Sequence, residues 1–97
     1  MITVDAVRSA VHDSFESVVS DLVELVSIPS VSASSHDQVQ VLRSAEHVAG
    51  LLTGAGLSAQ VLSLVGADGV SGRPAVLAHR DGPAGAPRVL LYAHHDV

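Results

Sequence analysis

The stretch that decides the fold is Val89-Leu90-Leu91-Tyr92-Ala93-His94-His95-Asp96-Val97. Its first five residues are apolar without alternation, the pattern of a strand buried on both faces inside a sheet covered by helices. Three polar residues follow at once. In open α/β sheets ligands bind beyond the carboxyl ends of the strands, so these residues are placed for chemistry. His94 and Asp96 stand two apart and, in extended backbone, point to one side, while His95 points to the other. A carboxylate beside an imidazole can fix its tautomer and orientation, leaving the second ring nitrogen for a metal or a proton.

Upstream of that stretch, breakers and apolar periods divide the chain. Val4, Val7, Val11, Phe15, Val18, Val19, Leu22, Leu25 and Val26 recur at three- and four-residue steps and predict one helix over 4–27. Thr3 can cap its start, and Pro29 ends it by disfavouring helical backbone at Ile28. Its many valines lower intrinsic propensity, so this helix depends on packing. Residues 29–35 form a loop of small polar residues. Ser35 and Gln38 have capping-box spacing and open a second predicted helix over 35–55. Val39, Leu42, Ala45, Val48, Ala49, Leu51 and Leu52 are its apolar face, and Gly56 with Leu57 suits a Schellman ending.

Beyond Gly56 the period changes. Ser58–Val65 reads as a strand ended by Gly66-Ala67-Asp68-Gly69, and Ala75–Arg80 as a second. A turn rich in breakers, 81–87, leads into 88–93, and these last two runs are expected to pair as an antiparallel hairpin. Two helices followed by strands of a mixed sheet is an α/β arrangement with the look of the front part of a domain.

The 97 residues allow one small domain or a piece of a larger one. Hydrophobic residues make up 47% and charged residues 15%, a balance that excludes intrinsic disorder. A net charge of −5 leaves no basic footprint for nucleic acid, and with two aromatic residues there is no stacking platform for bases. No segment approaches the ~20 apolar residues of a membrane span, and the first residues lack a signal-peptide pattern. A cytoplasmic protein without nucleic-acid or membrane partners is the expectation. The absence of cysteine excludes disulfides, thiolate metal sites and a cysteine nucleophile, so any metal must be held by His, Asp or Glu.

Two stretches carry a family resemblance. Val89 to Val97 resembles the first metal-binding motif of the aminoacylase/carnosinase/glutamate carboxypeptidase family of di-zinc metallopeptidases and deacylases: an apolar strand, a small residue, then His-x-Asp. Leu22-Val23-Glu24-Leu25-Val26-Ser27-Ile28-Pro29-Ser30-Val31-Ser32 is similar to the N-terminal signature of that family, a helix ending in Ile-Pro-Ser-Val-Ser. The resemblance covers nearly all of this chain and about the first quarter of a typical member. It implies that residues 1–97 are the N-terminal portion of a zinc-peptidase-like three-layer catalytic domain. The rest of that domain and the inserted lid or dimerisation domain would lie further along.

By this resemblance His94 is a ligand of one metal, and Asp96 is the catalytic-site aspartate that orients it. The cofactor implied is zinc, two divalent ions in the complete enzyme, with manganese or cobalt as substitutes. The reaction implied is metal-assisted hydrolysis of an amide carbonyl in a small dipeptide or N-acyl amino acid, with the dipeptidase-like branch the nearest in motif. A homodimer of the complete protein is compatible with it. The other acidic and histidine ligands and the general-base glutamate of the family have no counterpart here, so the chain alone is expected to be inert. His95 stands at a non-ligand position.

The rival is a small non-catalytic α/β binding or interaction domain in which His94 and Asp96 merely end a strand. His12, His36, His47 and His79 are read as surface residues. Ser30, Ser32, Ser34 and Ser35 make no nucleophile elbow, since Gly-x-Ser-x-Gly is absent. Gly54-Ala55-Gly56 closes a helix and so is no phosphate loop.

Overall fold

The computed structural model describes residues 1–97, and its helices follow the apolar periods except where a polar side chain competes for the backbone. The first run is two helices, α1 (Val4–Asp13) and α2 (Phe15–Ser27), instead of one. The break is Ser14, at φ −92° and ψ 0°. Its hydroxyl donates to the Ala10 carbonyl at 2.8 Å, alongside its own backbone N–H at 3.1 Å. Such back-bonding four residues upstream bends helices. Thr3 caps α1 as expected, its Oγ1 accepting from the Ala6 N–H at 3.1 Å. Ile28 ends α2 at φ −75° and ψ 120°, the extended backbone that a following proline requires.

The third helix, α3, spans Gln38–Gly54. Its cap is Asp37 and not Ser35: Asp37 Oδ1 accepts from the Val39 N–H at 3.1 Å. A carboxylate suits the positive end of the helix dipole better than a hydroxyl does. Gln38 turns its amide back onto the loop and donates to the carbonyls of Ala33 and His36 at 2.8 and 2.9 Å. At the other end Gly56 takes φ +90°, which only glycine adopts without strain. The Gly56 and Leu57 N–H groups donate to Thr53 and Leu52, completing the Schellman pair.

The inward face of α3 also differs from the expected one. Val41, Ser44 and Ala45 are buried, whereas Val39 and Leu42 are exposed. The 41, 44, 45, 48, 52 spacing is as good a helical stripe as the one read from the apolar residues alone. Its centre is a serine, so an apolar pattern does not mark it.

Strands β1 (Ser58–Leu62) and β2 (Ala75–His79) pair antiparallel, with Ala59 opposite Ala78 and Val61 opposite Val76. Those four side chains are half-buried on the face toward α3, while their neighbours Ser58, Gln60, Leu77 and His79 face outward. The architecture is thus a small α/β unit of three helices and a two-stranded antiparallel sheet.

The expected pairing of 75–80 with 88–93 is not present. Val89 to Tyr92 form no strand and are exposed. A cavity of about 1190 Å³ lies between β2 and residues 88–95, with Leu25, Val48, Leu51 and Leu52 from α2 and α3 also lining it. Strands pair only at ~4.8 Å spacing, so a segment held across a cavity cannot complete a ladder. An unbroken apolar run signals a capacity for burial. It does not specify the partner.

Only five residues are buried, and the radius of gyration is 16.2 Å, against ~12.5 Å for a compact domain of this length. The apolar stripe of α1 and α2 remains exposed at Val4, Val7, Val11, Phe15, Val18 and Leu22. Packing therefore concentrates on α3, which makes a test simple. Val41→Ala should lower unfolding stability by ~2 kcal/mol, while Val39→Ala should change it by less than ~0.5 kcal/mol. Urea denaturation of the two variants checks this. Equal losses would mean that the buried face is misassigned.

Candidate metal-binding site

The two stretches that carry the family resemblance meet in space. Pro29 forces the chain after α2 into an extended loop, which presents the Ser30 carbonyl and the Ser32 side chain to residues 94–97. The Val97 N–H donates to the Ser30 carbonyl at 3.1 Å. The Ser32 hydroxyl donates to Asp96 Oδ2 at 2.7 Å across 64 positions of sequence. Arg73, just ahead of β2, donates from Nε to the Ser32 carbonyl at 3.0 Å and ties the loop to the sheet.

Hydrogen-bond partners fix the neutral tautomers of both histidines. His94 Nδ1 lies 3.2 Å from Asp96 Oδ1 and 3.1 Å from the Asp96 carbonyl oxygen. A carboxylate and a carbonyl only accept, so Nδ1 carries the proton and donates. Nε2 is left with a free lone pair on a side chain that is 79% exposed. His95 is the opposite case. Its Nε2 lies 3.2 Å from the Pro74 carbonyl and must carry the proton, while Nδ1 lies 2.9 Å from the Ser44 hydroxyl. That hydroxyl is also 3.0 Å from the His95 carbonyl, so its single hydrogen is shared between the two acceptors. Both nitrogens of His95 are engaged by protein, which leaves it no lone pair for a metal. His94 has one.

The structure lowers the pKa of Asp96. The Ser32 hydroxyl, above all, holds its carboxyl below the ordinary range; partial burial opposes this, and the bond and charge of His94 reinforce it. The carboxylate is therefore the form that accepts from His94.

The remaining histidines fall outside this cluster. His12 and His36 are exposed, and His79 sits 3.0 Å from Asp81 at the surface. His47 is half-buried between α2 and α3, 4.0 Å from Glu24, and so is less solvated than its position suggested. No group of three or more His, Cys, Asp or Glu side chains comes together.

Three residues of the cluster were not legible as functional from sequence. Ser32 lies in the Ile-Pro-Ser-Val-Ser stretch, but a hydroxyl that merely donates to a distant carboxylate has no local motif. Arg73 acts through a contact 41 positions away. Ser44 did leave a signal, a lone hydroxyl amid the apolar stripe of α3. Such a group must find a partner when buried. Comparison of the chain with family models, curated proteins and solved structures found no match.

Two measurements follow from this geometry. Because the folded Asp96 is the stronger acid, its contribution to stability is full above the ordinary carboxyl value and is lost as pH falls through the lowered one. Carbon NMR of the Asp96 carboxyl should show it titrating below 3.8, and titration at or above 3.8 would contradict the assigned bonds. Ser44 and Ser30 are both fully buried, but the Ser30 hydroxyl has no partner. Ser44→Ala should cost ~1–3 kcal/mol by leaving the His95 acceptors unsatisfied, whereas Ser30→Ala should be neutral or stabilising. Thermal melts in which Ser30→Ala is the more damaging would reverse the assignment.

Proposed function

We propose that these residues form the front part of the catalytic domain of a metal-dependent hydrolase that cleaves amide bonds in dipeptides or N-acyl amino acids. The observation that carries this reading is the meeting of the two resembling stretches. The Ile-Pro-Ser-Val-Ser loop holds the carboxylate of the His-x-Asp motif through Ser32, and that carboxylate holds His94 with Nε2 open. Their meeting at one carboxylate supports reading them as parts of one site.

The donor chemistry fits one corner of a metal site. His94 would supply a neutral imidazole nitrogen, and Asp96 would raise its basicity and fix its direction from the far side of the ring. A divalent ion, zinc in the family resembled, supplies polarisation of the amide carbonyl and activation of water when bound. Further ligands and a general base would have to come from polypeptide beyond these residues. The same holds for a lid or dimerisation domain.

A second reading, a non-catalytic interaction domain, draws on the uncovered apolar surface of α1, α2 and residues 89–92. Activity separates the two. The 97-residue chain with added zinc or manganese should not hydrolyse dipeptides or N-acyl amino acids, and turnover that His94→Ala removes would overturn the division of labour proposed here. In the longest open reading frame that contains these residues, His94→Ala should nearly abolish metal-dependent hydrolysis. Asp96→Asn should lower it ~10–100-fold. His95→Ala should weaken folding, through loss of its bonds to Ser44 and Pro74, more than it weakens metal binding. Metal analysis showing His95→Ala as damaging as His94→Ala would exchange their roles.

A further inference from the structure

We infer that Ser32 is a positioning residue of the site: its hydroxyl fixes the rotation of the Asp96 carboxylate, and through it the tautomer of His94. The argument begins with the carboxylate. The terminal torsion of an aspartate is broad, so a carboxylate held at one oxygen can turn and offer its lone pairs in many directions. Here each oxygen has its own partner, Ser32 Oγ on Oδ2 at 2.7 Å and His94 Nδ1 on Oδ1 at 3.2 Å. The shorter bond is the one to Ser32.

Ser32 is itself anchored. Arg73 Nε holds its carbonyl at 3.0 Å, Pro29 stiffens the loop three residues earlier, and the Ser30 carbonyl receives Val97 just beyond Asp96. The hydroxyl therefore acts from a backbone fixed on both sides of the contact. By comparison the histidine is loosely held, since its side chain is mostly exposed and makes its hydrogen bonds at Nδ1 alone.

The consequence concerns which ring nitrogen carries the proton. A solvated neutral histidine favours Nε2–H, the form that cannot bind a metal through Nε2. The Asp96 carboxylate reverses this preference only while Oδ1 stays in line with Nδ1–H. With the Ser32 hydroxyl removed, Oδ2 loses its shortest bond, the carboxylate gains rotational freedom, and the long bond to His94 weakens. The backbone carbonyl of Asp96, at 3.1 Å, is the one remaining acceptor for Nδ1–H.

The significance of an open Nε2 rests on the proposed metal-dependent function, but the tautomer does not require a metal. The full chain with isotope-labelled histidine, examined by long-range proton–nitrogen NMR at pH 7.5, reports the tautomer of each ring. His94 should be Nδ1–H in the wild type, and His95 should be Nε2–H and serve as an internal control. Ser32→Ala should move His94 to a mixture dominated by Nε2–H while leaving His95 unchanged, and Ser32→Thr should restore the original form. Ser32→Cys, near-isosteric but a weak donor, carries the same expectation as Ser32→Ala, so an alanine variant that fails to fold does not remove the test.

If His94 keeps Nδ1–H in Ser32→Ala or Ser32→Cys, the backbone carbonyl suffices and the inference is overturned. Zinc titrated into the same samples separates this from the functional reading. Zinc should perturb His94 in the wild type and bind about 10-fold more weakly in Ser32→Ala, the low end of the effect of losing an outer partner. A wild-type His94 that ignores zinc while its tautomer follows Ser32 would support the positioning role and count against the metal site.

Discussion

The fold depends on one buried hydroxyl. Ser44 sits at the centre of the inward face of α3, between Val41 and Ala45, and bonds to both the ring and the carbonyl of His95. An unpaired hydroxyl at that depth is costly, and residue 95 supplies its partners. His95 then spans from α3 to the Pro74 carbonyl at the entry to β2. Ile28 and Ser30, the other two buried residues, belong to the loop that receives Val97. Ser44 and Ser30 thus both sit where residues 94–97 meet α3 and the 28–32 loop. Little else in the chain is enclosed.

How much of this was legible follows from whether the deciding contact is local. Thr3, Pro29, Gly56 and Leu57 act within a few residues, and each behaves as its type dictates. Ser14 and Asp37 also act locally, but nothing in the apolar period singles them out from the polar residues beside them. The break at Ser14 and the start at Gln38 turn on which side chain wins, and helical periodicity does not record that. The contacts made by Ser32, Ser44 and Arg73 at the site join positions 41 to 64 apart. Opposite orientation of His94 and His95 could be read from their spacing, while the identity of their partners could not.

The failure at 88–93 has the same origin. An apolar run reports that burial would be favourable, through roughly 25 cal/mol per Å² of apolar surface removed from water. Here Val89, Leu90, Leu91 and Tyr92 remain exposed beside an apolar cavity whose other walls are β2 and the helices. The α1–α2 stripe is in the same condition. Neither surface has a cover within these 97 residues, and their exposure is consistent with the elongated shape.

The site does not depend on those uncovered surfaces. Strand pairing would have fixed the ladder of 88–93, but residues 94–97 are held by side chains and one backbone bond to the 28–32 loop and α3. Two adjacent histidines consequently settle into opposite tautomers for opposite reasons. His95 faces the interior, spends both nitrogens on protein and becomes a structural bolt. His94 faces solvent, gives one nitrogen to a carboxylate that Ser32 keeps charged and aimed, and presents the other to whatever approaches. The polarity of each ring is set by what lies behind it, so a displaced apolar segment upstream leaves the chemical distinction between the two residues intact.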